Sequence, residues 1–187
     1  PWIHDITTDP IDPPRYEAVA RLRPRDAHSV NYAGLYAAEQ QRAAYPDIGP
    51  LGTNATAQNA YDAVLAVVTK RKWRVVDARA PQAGRREGHI EAVARTPIMG
   101  FRDDVVVRVR AEPDGARIDA RSSSRYGMSD FGTNAARLRG LHGDQPRTLA
   151  NTATGGEAWA DRPLVRRPRH GPEPARGVPA PGRATRR

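Results

Sequence analysis

A chain of 187 residues with 39% apolar side chains is long enough for one domain with a real core, and its 17 prolines and 16 glycines predict segments outside that core. The absence of cysteine excludes disulfides, thiolate catalysis and cysteine-bound zinc, and no run approaches the roughly 20 apolar residues of a membrane span. The net charge of +9 is concentrated at one end: residues 162–187 hold eight arginines against the single acid Glu173. The rest of the chain is close to neutral and lacks the electrostatic footprint of a duplex binder.

Prolines at 10, 13 and 14 forbid a long helix at the start, although Trp2 to Thr8 suits a short edge strand. Residues 1–32 are therefore expected to form an extended strap. Ala33 to Ala44 has helical composition, and Tyr45-Pro46 followed by Gly49-Pro50 ends it, because the residue before proline is pushed out of the α region. Over 57–72, Ala57, Tyr61, Val64, Leu65 and Val68 make one apolar stripe, with Thr56 as N-cap and Lys70, Arg71 and Lys72 at the carbonyl end. This is the expected core helix.

Four strand-like runs follow at about 73–79, 88–96, 103–112 and 115–124, each bounded by Gly, Pro or Asp. A two-residue turn at Asp114-Gly115 would set Val109 opposite Ala120 and Arg110 opposite Asp119, a register favoured by cross-strand charge. Ser129 or Asp130 then caps a second helix in which Phe131, Ala135 and Leu138 share a face. Short connections predict an α+β fold, a four-stranded antiparallel meander with two main helices packed on one face, spanning 33–142. The other face is expected to be open, its arginines and acids forming a solvated lattice. From 143 to 187 there is no apolar stripe, and the Arg/Pro/Gly-rich composition reads as a disordered basic tail, of the kind an out-of-frame extension of a GC-rich gene would give.

Four segments, IHDITTDP (3–10), AYPDIGPL (44–51), GFRDDVVVRVR (100–110) and IDARSSSRYGMSDFGTNAARLR (118–139), resemble in sequence and order the bacterial and plastid family known as domain of unknown function 1499. The resemblance implies a cell-envelope location, with tethering to a membrane by an upstream segment or lipid, and no catalytic activity comes with it. The chain opens on Pro1 rather than Met, so an anchor upstream is part of the expectation. The pattern departs at Gly140-Leu141-His142-Gly143, which is expected to break the last helix early.

The candidate ligand-binding residues lie where the fourth strand meets the second helix: Arg121, Ser122, Ser124, Arg125, Asp130 and Asn134. Hydroxyls, guanidinium groups and helical N–H groups could cradle an anion there, although Asp130 would compete for the same donors. Asp103-Asp104 beside Arg102 is the alternative, as a carboxylate pair of a small hydrolase or isomerase acting with a serine. Against it, adjacent strand residues point to opposite faces. Histidines 4, 28, 89, 142 and 170 show no metal-ligand spacing, and no nucleophile elbow or phosphate loop occurs, so neither catalytic residue, metal nor cofactor is expected. The reading is a non-enzymatic envelope domain docking a protein, an anionic lipid head group or a small anionic ligand. Nucleic-acid binding would fall to the tail.

Overall fold

A computed structural model describes residues 1–85 and 87–144. The elements in chain order are β1 (Asp5–Thr7), α1 (Ala18–Leu22), α2 (Gly34–Ala44), β2 (Leu51–Thr53), α3 (Ala57–Lys70), β3 (Arg74–Arg79), β4 (Glu87–Arg95), β5 (Arg102–Glu112), β6 (Gly115–Ser124) and α4 (Thr133–Gly143). The expected meander β3-β4-β5-β6 is present, all antiparallel, but the sheet has six strands rather than four. Two three-residue strands share the outer edge of β6: β1 pairs with Arg121–Ser123, and β2 with Ala116–Ile118. β2 contains Gly52 and is too short for its period to be read, which is why it escaped the sequence.

The inward face follows the alternation. Ile90, Ala92, Val105, Val107, Val109, Ile118 and Ala120 are all buried beneath α3 and α4, against Ala60, Tyr61, Val64, Val67 and Val68 of α3 and Ala135, Leu138 and Leu141 of α4. Each fully buried Val, Leu or Ile contributes ~1.5–3 kcal/mol relative to exposure. Thr56 caps α3 as expected, its Oγ1 accepting from Asn59 N at 3.1 Å. The outer side of β1 is closed by an amide: Gln41 Oε1 accepts from Thr7 N at 2.9 Å while its Nε2 donates to Thr7 O at 2.7 Å. Gln41 therefore satisfies the edge strand as another strand would.

The opposite face is not open. The N-terminal strap, with α1, lies across it, and Tyr16, Val19 and Val106 form a second buried cluster there. Sheet charges expected in water are buried: Glu91, Asp104, Arg108, Asp119 and Arg121 are each at most 6% exposed. The physical reason is that the strap brings their counter-charges. Asp5 holds Arg121, Asp9 and Asp12 hold Arg108, and Arg23 holds Asp104. Glu91 in turn accepts the N–H groups of Glu17, Ala18 and Val19 and so closes the start of α1.

The β5–β6 register also differs from expectation. Glu112 pairs with Gly115 and Arg110 stands opposite Arg117, so the turn residues are Pro113 and Asp114. Like charge does not oppose this register, because Arg110 is held by Glu87 and Asp12, and Arg117 by Asp119 and Asp9. Gly115, at φ +150°, lies against β2 so closely that a Cβ would stand 1.9 Å from Thr53 O. Only glycine permits that approach.

Two corrections concern α4. Phe131 lies outside the helix, with φ 51° and a side chain 96% exposed, and Gly132 at φ 84° turns the chain into it. The helix then runs through Gly140 to Gly143 instead of breaking. Gly140 makes room for a neighbour: a Cβ there would meet Arg71 Nη2 at 2.5 Å, and Arg71 pairs with Asp144 at 2.7 Å. The basic tail beyond 144 lies outside the described residues.

Candidate functional site

The six residues singled out at the β6–α4 corner are divided by the sheet. Ser122, Ser124, Asp130 and Asn134 lie on the α4 side. Ser122 Oγ donates to Asn134 Oδ1 at 2.6 Å, and Asn134 Nδ2 donates to Ser124 Oγ at 2.9 Å. Asp130 caps the entry to α4, accepting from Gly132 N at 2.8 Å and Asn134 N at 2.9 Å. The anion cradle is thus filled by the chain's own carboxylate. Arg137, which sequence reasoning missed, completes this group by donating to Ser122 Oγ, Asn134 Oδ1 and Asp103 Oδ2. It sits one helical turn after Asn134, a spacing that could have flagged it.

Arg121 and Arg125 lie on the strap side. Arg121 is clamped by both oxygens of Asp5 (2.9 and 2.7 Å) and by the carbonyls of Pro14 and Val30, with its guanidinium 4.6 Å from the Tyr16 ring centre. Burial alone would lower its pKa, but the Asp5 carboxylate outweighs that and raises it. Arg125 chelates Asp104 at 2.9–3.2 Å, beside Arg23 on the same carboxylate at 2.7 Å. Arg23 also donates to Ser123 Oγ. The alternative pair separates likewise: Asp103 faces Arg137 and Asp104 faces Arg23 and Arg125, with the sheet between them. Arg102 is exposed and touches neither carboxylate.

These buried networks hold up an end of the sheet that is chemically different. The registers bring Arg95 opposite Arg102, Asp103 opposite Ser124 and Asp5 opposite Ser123, so the β4–β5 turn, the segment after β6 and the first residues of the chain meet at one end. Backbone bonds tie them together: Arg125 N donates to Arg102 O, Asp130 N to Ile3 O, and Thr96 N to Phe101 O. Seven large apolar side chains there are exposed: Trp2, Ile98, Met99, Phe101, Tyr126, Met128 and Phe131, from 51% for Tyr126 to 96% for Phe131. A positive φ is costly for a ring-bearing residue, so the backbone is strained in holding Phe131 in solvent.

Behind these tips stands a cationic row. Arg74 begins β3, Arg95 ends β4 and Arg102 begins β5; Arg74 pairs with Val93, two residues before Arg95, which puts all three on the strap side at this end. None of the three has a carboxylate partner among the described residues, whereas the arginines further along the sheet are neutralised. Close by, the rings of His4 and His28 stack at 3.8 Å. Burial, and the second imidazole, lower the pKa of His4.

Fold and site together define a small α+β domain: an antiparallel sheet with helices on one face, an ion-paired strap on the other and an apolar, basic loop end. Among the described residues no helix is long and apolar enough to cross a membrane. The profile of the family described as "Protein of unknown function (DUF1499)" matches residues 5–144, and the chain belongs to that family. The match takes in the strap as well as the sheet, and it stops where α4 ends. No curated protein and no solved structure matches the chain.

Proposed function

We propose that this is a non-catalytic docking domain of the cell envelope that seats the loop end of its sheet on an anionic lipid surface. The observation that carries this reading is the coincidence of seven exposed apolar side chains, on the first residues of the chain and two adjoining loops, with three arginines directly behind them that have no carboxylate partner among the described residues. Exposed apolar groups of this extent mark interaction sites. Protruding tips of aromatic, Ile and Met side chains suit insertion below the head groups, while guanidinium groups one strand-end back meet the phosphates. The corner residues have a supporting role: Asp130, Asn134 and Ser124 hold the 125–132 loop, and Arg121 and Arg125 pin the strap to the sheet.

The test is sedimentation of the full chain with vesicles of phosphatidylcholine alone and of phosphatidylcholine mixed with phosphatidylglycerol. Binding is expected only to the anionic vesicles. Phe101→Ser combined with Phe131→Ser abolishes it, and each of Arg74→Ala, Arg95→Ala and Arg102→Ala weakens it by about 1 kcal/mol, roughly fivefold. Binding that survives the double phenylalanine variant would belong to the basic tail and would overturn the assignment of the loop end.

A further inference from the structure

We infer that Asp77, His89 and Glu91 form a binding site for a divalent transition-metal ion of the zinc type, which locks the strap onto the sheet. Their chain spacing carries no ligand motif, because the site is assembled across two strands. Asp77 on β3 is the register partner of Glu91 on β4, and His89 lies two residues along β4 on the same face. A bulge between Val75 and Asp77 sets this geometry: Val76 has no partner on β4 and packs into the second cluster, while Asp77 turns toward Glu91. Bulges re-aim side chains in this way, often beside functional sites.

The donor atoms are spaced for one ion. His89 Nε2 lies 3.2 Å from Glu91 Oε2 and 3.9 Å from Asp77 Oδ2, and the three ligand atoms are all within 4.8 Å of one another. Ligands at ~2.0–2.2 Å around a common tetrahedral ion stand roughly 3–4 Å apart. His89 Nε2 is buried and makes no hydrogen bond of acceptable geometry among the described residues, despite the nearby carboxylates. An orphaned imidazole nitrogen facing two carboxylates is a donor set suited to zinc.

The surroundings fit as well. Glu91 is oriented by the N–H groups of Glu17, Ala18 and Val19, which leaves Oε2 with one protein donor besides the His89 contact. Hydrogen bonds of that kind fix ligand orientation in metal sites. A cleft of about 250 Å³, lined by Glu17, Ala18, Arg21, Asp77 and Arg79, gives an entry path. Arg79 bridges Asp77 and Glu17 at 2.9 and 2.6 Å. Three carboxylates, Glu17, Asp77 and Glu91, against the guanidinium groups of Arg79 and of Arg21 at the cleft wall leave the site net negative, as a divalent cation requires. Because Glu91 also holds the start of α1, an ion at this point ties β3, β4 and the strap together. The inference is independent of lipid docking, which occurs at the other end of β4.

The experiment titrates the metal-stripped full chain with Zn2+ by calorimetry and with Co2+ by visible absorption, and follows Tm with and without Zn2+. One ion per chain is expected, with tetrahedral Co2+ bands and a Tm rise. Both are lost in Asp77→Asn, which lies at the half-buried cleft wall and leaves the circular dichroism spectrum unchanged, and in His89→Gln. Absence of binding to the parent chain would overturn the site. So would binding that persists in both variants, which would assign the ion to other histidines.

Discussion

Arg121 shows how a residue can be chemically conspicuous and yet internal to the fold. Its guanidinium makes four hydrogen bonds within the protein and lies between the rings of Tyr16 and Tyr32. Removing one partner of a buried pair leaves the other charge uncompensated, so Arg121→Ala should cost about 3–5 kcal/mol in chemical denaturation. Arg102→Ala, at an exposed position without an ion pair among the described residues, should stay within ~0.5 kcal/mol. Similar costs for the two would contradict the division between structural and surface arginines.

Residue-scale ionisation also predicts a direction for pH. Burial lowers the pKa of His142 below its ordinary 6.5, and burial together with His28 lowers that of His4. The unfolded chain therefore binds protons more readily than the folded one below pH 6.5, so stability falls as pH drops through that region. Burial would raise Glu91, but the neighbouring His89 imidazole and the strap N–H groups outweigh it and hold the pKa below the ordinary 4.5. The stability that Glu91 contributes is present above pH 4.5 and is lost as pH falls through its lowered value. His142→Leu should flatten the first of these two losses in urea melts at stepped pH, and leave the second in place. An unchanged first limb would remove His142 as its source.

Among the elements, the meander and α3 were legible because a period of two over Val105, Val107 and Val109, and a helical stripe over Tyr61, Val64 and Val68, are local signals. The second layer was not. Nothing near Arg108 or Arg121 in sequence announces that Asp9 and Asp5 will be laid across them, and charges facing absent partners read as a solvated face. The same non-locality misled the hairpin register, where Glu87 on β4 and Asp12 of the strap neutralise Arg110, and Asp119 and Asp9 of the strap neutralise Arg117, rather than partners across the hairpin. The candidate corner was found because Asp130, Asn134 and the serines cluster locally, but its split across the sheet follows from strand alternation applied at Arg121 and Ser122.

Edge protection is another property of the elements rather than of any one residue. β1 is three residues long and depends on the Gln41 amide for its outer hydrogen bonds. Gln41→Leu keeps the volume but leaves Thr7 N and O buried without partners, at ~1–3 kcal/mol each. The expected outcome is faster amide exchange at Thr7 and a lower midpoint in urea. Unchanged exchange there would show that α2 closes the edge by packing alone.

For the whole molecule, the polarity runs along the sheet. Away from the loop end Arg108, Arg110 and Arg117 are ion-paired, whereas the loop end gathers Trp2, the Ile98-Met99 turn, Phe101, Tyr126, Met128 and Phe131 over arginines without a carboxylate partner among the described residues. The strap and α3 and α4 cover the two faces, and this end gathers seven of the twelve large apolar side chains exposed among the described residues. Trp2 reports on it directly. In a full-length chain carrying Trp73→Phe and Trp159→Phe, the emission of Trp2 should shift to the blue on adding phosphatidylglycerol-containing vesicles and be quenched by lipids brominated near the head group. An emission spectrum identical with and without the vesicles, in a sample that sediments with them, would contradict docking through the loop end.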